Sequence, residues 1–183
     1  MNQTELIKQI NATIGKIKVL ELGRLLTERK FNLRDLIDVT IYPDNDIAFR
    51  ATWLLENIFL QDPEIYLPDL GYLLSKMAVV KAPGSKRHYA KIVMHITDAN
   101  APQMIKDKVQ TLDLEPIVEH LFDWMIDPKI KIAVKAFAAE ALFNLRHRYT
   151  WITEELANQL KYLMRDGTAA IQSKGKKLLK ELE

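Results

Sequence analysis

The chain has 183 residues, 48% hydrophobic and 27% charged, a globular composition with enough length for one substantial core. Its formal net charge is only +2, so the whole-molecule field neither demands nor excludes a polyanionic partner, and any electrostatic function must come from local clustering. The lack of cysteine excludes disulfides, thiolate metal sites and a cysteine nucleophile.

Met1 to Leu20 carries Glu5, Lys8, Lys16 and Lys18 among its apolar residues, unlike a signal peptide. No segment is long and apolar enough to cross a bilayer, and the expectation is a cytoplasmic protein with no membrane partner. Apolar residues at spacings of three and four, with few strand signals, predict an all-α fold. In chain order the helices are expected near 4–14, 16–29, 33–41, 45–60, 63–79, 85–98, 102–108, 115–126, 128–148, 152–165 and 168–182. Asp62-Pro63 and Asp127-Pro128 read as helix starts, a capping carboxylate before a proline whose missing N–H has no helical partner to lose. Glu115-Pro116 is a weaker copy of the same signal. Lys81-Ala82-Pro83-Gly84 reads as a turn, and 98–113 is the least regular stretch. The helix at 128–148 spreads apolar side chains over much of its circumference and must be covered on several sides, with Ala138 and Ala139 at close contacts.

The second helix of each pair from residue 45 onward carries a cation before a small or apolar residue. Arg50, Lys91, Lys135 and Lys174 form this column and recur at intervals of about 40 residues. The segments Asp44-Asn45-Asp46-Ile47-Ala48-Phe49-Arg50-Ala51 and Asp127-Pro128 through Lys135-Ala136 resemble the HEAT repeat pattern of a turn aspartate, an apolar residue and a cation. The resemblance covers roughly Leu33 to Glu183, and Gly175 departs from it where a small core residue would stand. It implies an α-α superhelix, a HEAT-like solenoid of antiparallel helix pairs. The expected organisation is one α-helical repeat domain over 1–183, with capping helices in 1–31 and about four pairs in 32–183. In such arrays the cation commonly pairs with turn aspartates, so Asp44 with Arg50 and Asp127 with Lys135 are the expected rungs of an internal ladder.

Arg50-Ala51-Thr52-Trp53-Leu54-Leu55-Glu56 and Phe122-Asp123-Trp124-Met125-Ile126 are also similar to segments of short bacterial chains that often carry the label adenylosuccinate lyase. That family's flexible Ser-Ser-rich loop has no counterpart here, since the chain contains no Ser-Ser pair, and none of its catalytic residues can be carried over.

Chemistry is sparse elsewhere. His88, His95, His120 and His147 form no His-x-x-x-His or Glu-x-x-His cluster, and Ser75, Ser85 and Ser173 lie in no nucleophile elbow. No catalytic, metal or cofactor residue is assigned. The acidic row Glu115, Glu119, Asp123 and Asp127 shares one helix face, either a solvated exterior or a cation site. Trp53, Trp124 and Trp151 read first as core residues and otherwise as a stacking surface. Cations concentrate on alternate helices, with Lys86, Arg87, Lys91, Lys131, Lys135 and Arg146 as the candidate polyanion or partner surface. On an ideal helix Lys131, Lys135 and Arg146 fall within about 60° of one another, a single patch in projection. Pro83-Gly84-Ser85 before Lys86 adds free N–H groups at a helix start, a setting that can hold an anion. The functional expectation is a noncatalytic scaffold presenting a curved surface to a protein or peptide; the alternatives are a nucleic-acid-binding array and, less favoured, a lyase-like enzyme.

Overall fold

A computed structural model of the chain describes residues 3–12, 15–28 and 31–182. Its α-helices are α1 (Gln3–Ala12), α2 (Lys16–Glu28), α3 (Leu33–Val39), α4 (Asn45–Gln61), α5 (Leu70–Ser75), α6 (Pro83–Thr97), α7 (Gln103–Gln110), α8 (Glu115–Ile126), α9 (Ile132–Leu145), α10 (Ile152–Met164) and α11 (Ala169–Leu182). Among the described residues there is no strand, and no helix is long and apolar enough to cross a membrane. The chain is an all-α superhelical array. The helix ends expected at 14 and 29 lie outside the described residues.

Local chemistry sets the helix boundaries. Asp44 caps α4 through Oδ1, which accepts from the N–H groups of Asp46 and Ile47, two donors that the first turn leaves without partners. Pro116 sits in the first turn of α8, and Pro83 opens α6 two residues before the expected start. Two expectations fail at prolines. The helix read over 63–79 is three short pieces, Pro63–Asp69 and Met77–Val79 being 3₁₀ and α5 lying between them. Pro68 stands inside the first piece, where it lacks a hydrogen to donate and its ring crowds the preceding turn. Asp127-Pro128 starts a turn rather than a helix: Oδ1 of Asp127 accepts from Lys129 N, its carbonyl accepts from Ile130 N, and α9 begins only at Ile132.

The helices stack in two layers. In the second layer α4 packs on α6, α6 on α9, and α9 on α11. Across from them α3 packs on α4, α8 on α9, and α10 on both α9 and α11. Helices α1 and α2 cover the outer side of α4, while α7 lies beside α6 and the Pro63–Asp69 segment. The core runs between the layers without interruption, from Leu6 and Ile10 to Leu178. Helix α9 touches α6, α8, α10 and α11, which explains its nearly all-round apolar character; Ala138, Ala139 and Ala141 are completely buried there. Gly175, the departure from the repeat pattern, is buried where α11 crosses α10, and an added Cβ would lie 2.3 Å from the sulfur of Met164. The small residue there lets the Met164 side chain lie against the α11 backbone.

Candidate functional site

The four column cations all stand on second-layer helices, and each is held by an acceptor that precedes it in the chain. Arg50 donates to the Asn11 carbonyl near the end of α1 (2.6 Å), and Lys135 to the Met125 carbonyl near the end of α8 (2.7 Å). Lys91 donates to Glu56 Oε1 on α4, and Lys174 to Glu140 Oε2 on α9, both at 2.7 Å. The expected pairing with turn aspartates is absent. Asp44 and Asp127 are engaged by backbone N–H groups within their own turns, nearer in the chain than any side chain. The rungs run between helices: two are ion pairs and two hold helix-end carbonyls that the helix itself leaves unpaired.

Lys135 is buried, and loss of hydration holds its pKa below the ordinary lysine value, against a partial offset from Asp127. Glu56 is buried too, and both of its oxygens are occupied, Oε1 by Lys91 and Oε2 by Nδ1 of the buried His88. Burial pushes this carboxyl up, but the hydrogen bonds and charges of His88 and Lys91 outweigh it and leave its pKa below the ordinary range.

Around this cluster the surface of the second layer opens into a cleft of about 460 Å³. Phe49, Trp53 and Asn57 of α4 form one wall and Arg87, His88 and Lys91 of α6 the other, with Lys16 of α2 at the rim. A second cleft, of about 300 Å³, continues from Arg87 over Ala133, Ala136 and Phe137 of α9 to the Glu140–Lys174 pair. Arg87 is exposed, borders both clefts and lies over the Phe137 ring, 5.9 Å from its centroid. Phe49 is 36% exposed, unlike a core phenylalanine.

The structure separates the six candidate cations. Arg87 and Lys91 line the first cleft. Lys86 lies over Trp124 of α8, 5.7 Å from its centroid. Lys131 is exposed at the start of α9, whereas Arg146, at the other end, donates to the Phe143 carbonyl and covers the Phe143 ring at 3.6 Å. Projection down the helix axis hides the distance along it: fifteen residues separate Lys131 from Arg146, about 22 Å of helix. With Lys135 buried between them, these three do not form one patch. The suggested anion loop is closed as well. Ser85 is fully buried with its Oγ 2.9 Å from Thr52 Oγ1, and the Phe49 ring lies so close to Gly84 that an added Cβ would come within 2.4 Å of it.

The tryptophans divide among environments. Trp124 is core, Trp53 lines the first cleft, and Trp151 is 44% exposed and stacked on Phe122. The acidic row on α8 faces outward, with Glu115, Glu119 and Asp123 exposed. Arg148 closes α7, donating to the Val109 and Leu112 carbonyls.

A family model described as a HEAT repeat domain matches residues 6–182. The chain belongs to the HEAT repeat domain family. No match was found among curated proteins or among solved structures. As a HEAT repeat protein it is an all-α helical repeat array, and its second-layer surface brings cations, aromatic rings and two adjoining clefts together. Sequence reading singled out Arg87 and Lys91 there but not Lys16, Glu56, Phe49 or Phe137. One signal was available: Glu56 precedes Lys91, and Glu140 precedes Lys174, by about one repeat less one helical turn or two.

Proposed function

We propose that this HEAT repeat array is a noncatalytic scaffold that binds a protein or peptide segment along the surface of α4, α6, α9 and α11. The observation that carries this reading is the pair of clefts meeting at Arg87, where exposed Phe49 and Ala133 and half-buried Trp53, Ala136 and Phe137 lie among polar groups. An extended segment laid across both clefts would bury Phe49, Trp53 and Phe137 against its own side chains, the kind of aromatic anchoring that dominates interface energetics. The helices α1 and α2 act in this proposal as the cap of the array.

Nucleic acid is the less supported partner. Phosphate binding needs several available cations along the backbone path. Of the six candidates, Lys135 is buried, Lys91 is bonded to Glu56, and Arg146 is engaged at a helix end.

Selection of a random twelve-residue peptide library on the immobilised full chain tests the proposal, with Ala136→Trp as a variant whose second cleft is filled. Wild type is expected to enrich peptides that the folded variant retains at least tenfold less well. Labelled duplex and single-stranded DNA are titrated in parallel across a salt series. No enrichment over the blank support, or DNA binding that persists near 0.15 M salt while peptides fail, would refute the scaffold reading.

A further inference from the structure

The first cleft has an unbalanced charge arrangement. Among the described residues Glu56 is the only carboxylate on its walls, and both of its oxygens are already engaged by His88 and Lys91. Arg87 and Lys16, in contrast, have no acidic partner among the described residues. The Phe137 ring supports the guanidinium of Arg87 from one side, and its planar edge of N–H donors remains open. With Nδ1 of His88 fixed on Glu56, its Nε2 has no hydrogen-bond partner among the described residues, and no unpartnered side-chain nitrogen or oxygen among those residues is sealed from solvent. Three nitrogen-bearing groups from α2 and α6 therefore border one opening, and beyond Arg87 the wall becomes apolar at Ala133, Ala136 and Phe137.

We infer that the first cleft reads an acidic residue of an extended peptide, whose carboxylate is taken by Arg87 and Lys16 beside His88 while a neighbouring apolar residue lies in the second cleft. The inference rests on the scaffold reading and adds the chemistry of the partner. Charge complementarity decides it. A basic segment would meet Lys16 and Arg87 with the single carboxylate of the cleft closed to it, and a purely apolar segment would leave both cations facing an uncharged ligand. The Arg87 fork suits a planar carboxylate, to which it can donate two parallel bonds.

The composition of the selected peptides supplies the test, because the library is unbiased. Aspartate or glutamate, adjacent to an aliphatic or aromatic residue, is expected to be enriched on wild type and to lose that enrichment on Lys16→Gln/Arg87→Gln. A synthetic, labelled copy of the most enriched sequence then serves as the probe in anisotropy titrations. Arg87→Gln is expected to weaken it about tenfold, as loss of a charged hydrogen bond does, and the double variant further. Lys129→Gln, an exposed charge in the turn between α8 and α9, should leave it unchanged. Circular dichroism and thermal melts confirm that each variant is folded. Enrichment without an acidic preference, or equal binding by folded Arg87→Gln, overturns this inference and leaves the scaffold intact. Failure to enrich any peptide overturns both.

Discussion

Glu56→Gln removes one charge from a buried cluster and almost nothing else. The residue is 7% exposed, and its two oxygens accept from His88 and Lys91. Glutamine has a single acceptor oxygen: if Lys91 keeps it, the amide NH2 faces His88 Nδ1 and bonds there only when the imidazole carries its proton on Nε2, and in either case the charge assistance of both contacts is lost. A charge-assisted hydrogen bond is worth about 1.5–3 kcal/mol. Two relaxations reduce the loss. The Lys91 side chain is 29% exposed and can turn to water, and the desolvation cost of the carboxylate disappears with its charge. The expected net cost is about 1–2 kcal/mol, a fall in Tm of roughly 2–8 °C for a protein of this length. Urea unfolding at pH 7 measures it, and a double-mutant cycle with Lys91→Met isolates the pair. The pH dependence has a fixed sign. A carboxyl whose folded pKa is depressed stabilises the fold above its ordinary value of 4.5, and that contribution vanishes as pH falls through the folded value. The gap between wild type and Glu56→Gln should therefore be full at neutral pH and close in acid. A coupling below about 0.3 kcal/mol, within ordinary additivity error, or a gap that widens on acidification, would refute the assignment.

Three other outcomes are expected. Ala138→Leu or Ala139→Leu, by thermal melting, should cost about 1–3 kcal/mol, because both sites are fully buried on a helix enclosed by four others. Lys135→Met should lie within about 1 kcal/mol of wild type at pH 7, since a buried ammonium and its one carbonyl contact give way to an apolar chain of similar volume. Wild type should gain on this variant as pH rises toward 10.5, where the cost of burying the lysine charge fades; a constant difference between pH 7 and 10 would argue against it. Adenylosuccinate, followed spectroscopically with protein carried through successive columns, should be cleaved only at background, and turnover that tracks the pure chain would restore the lyase label.

The repeat was readable from sequence because its markers are local. A capping aspartate such as Asp44 and a helix-opening proline such as Pro116 act within one turn, and Arg50, Lys91, Lys135 and Lys174 stand on α4, α6, α9 and α11. Pro68 and Pro128 were harder, since a proline near a helix end is compatible with a start, a break or a turn, and the choice depends on what the following carbonyls find. The partners of the cations were out of reach. Arg50 finds a carbonyl on α1 and Lys91 a carboxylate on α4, and a periodic pattern specifies a face without naming what that face meets. For the same reason Trp53 read first as a core residue: helical spacing places an aromatic on an inward face equally well when that face borders a cleft.

Helix α7 stands apart from the second layer, packed beside α6 and the Pro63–Asp69 segment and fastened to the end of α9 by Arg148. It lengthens the chain between α6 and α9 without separating those two helices, which remain in direct contact. The length of a repeat in the sequence and its width on the second-layer face are therefore independent quantities in this protein. Material can be added at the flank, where α7 sits, while the step from one cleft to the next is still fixed by the diameter of two packed helices.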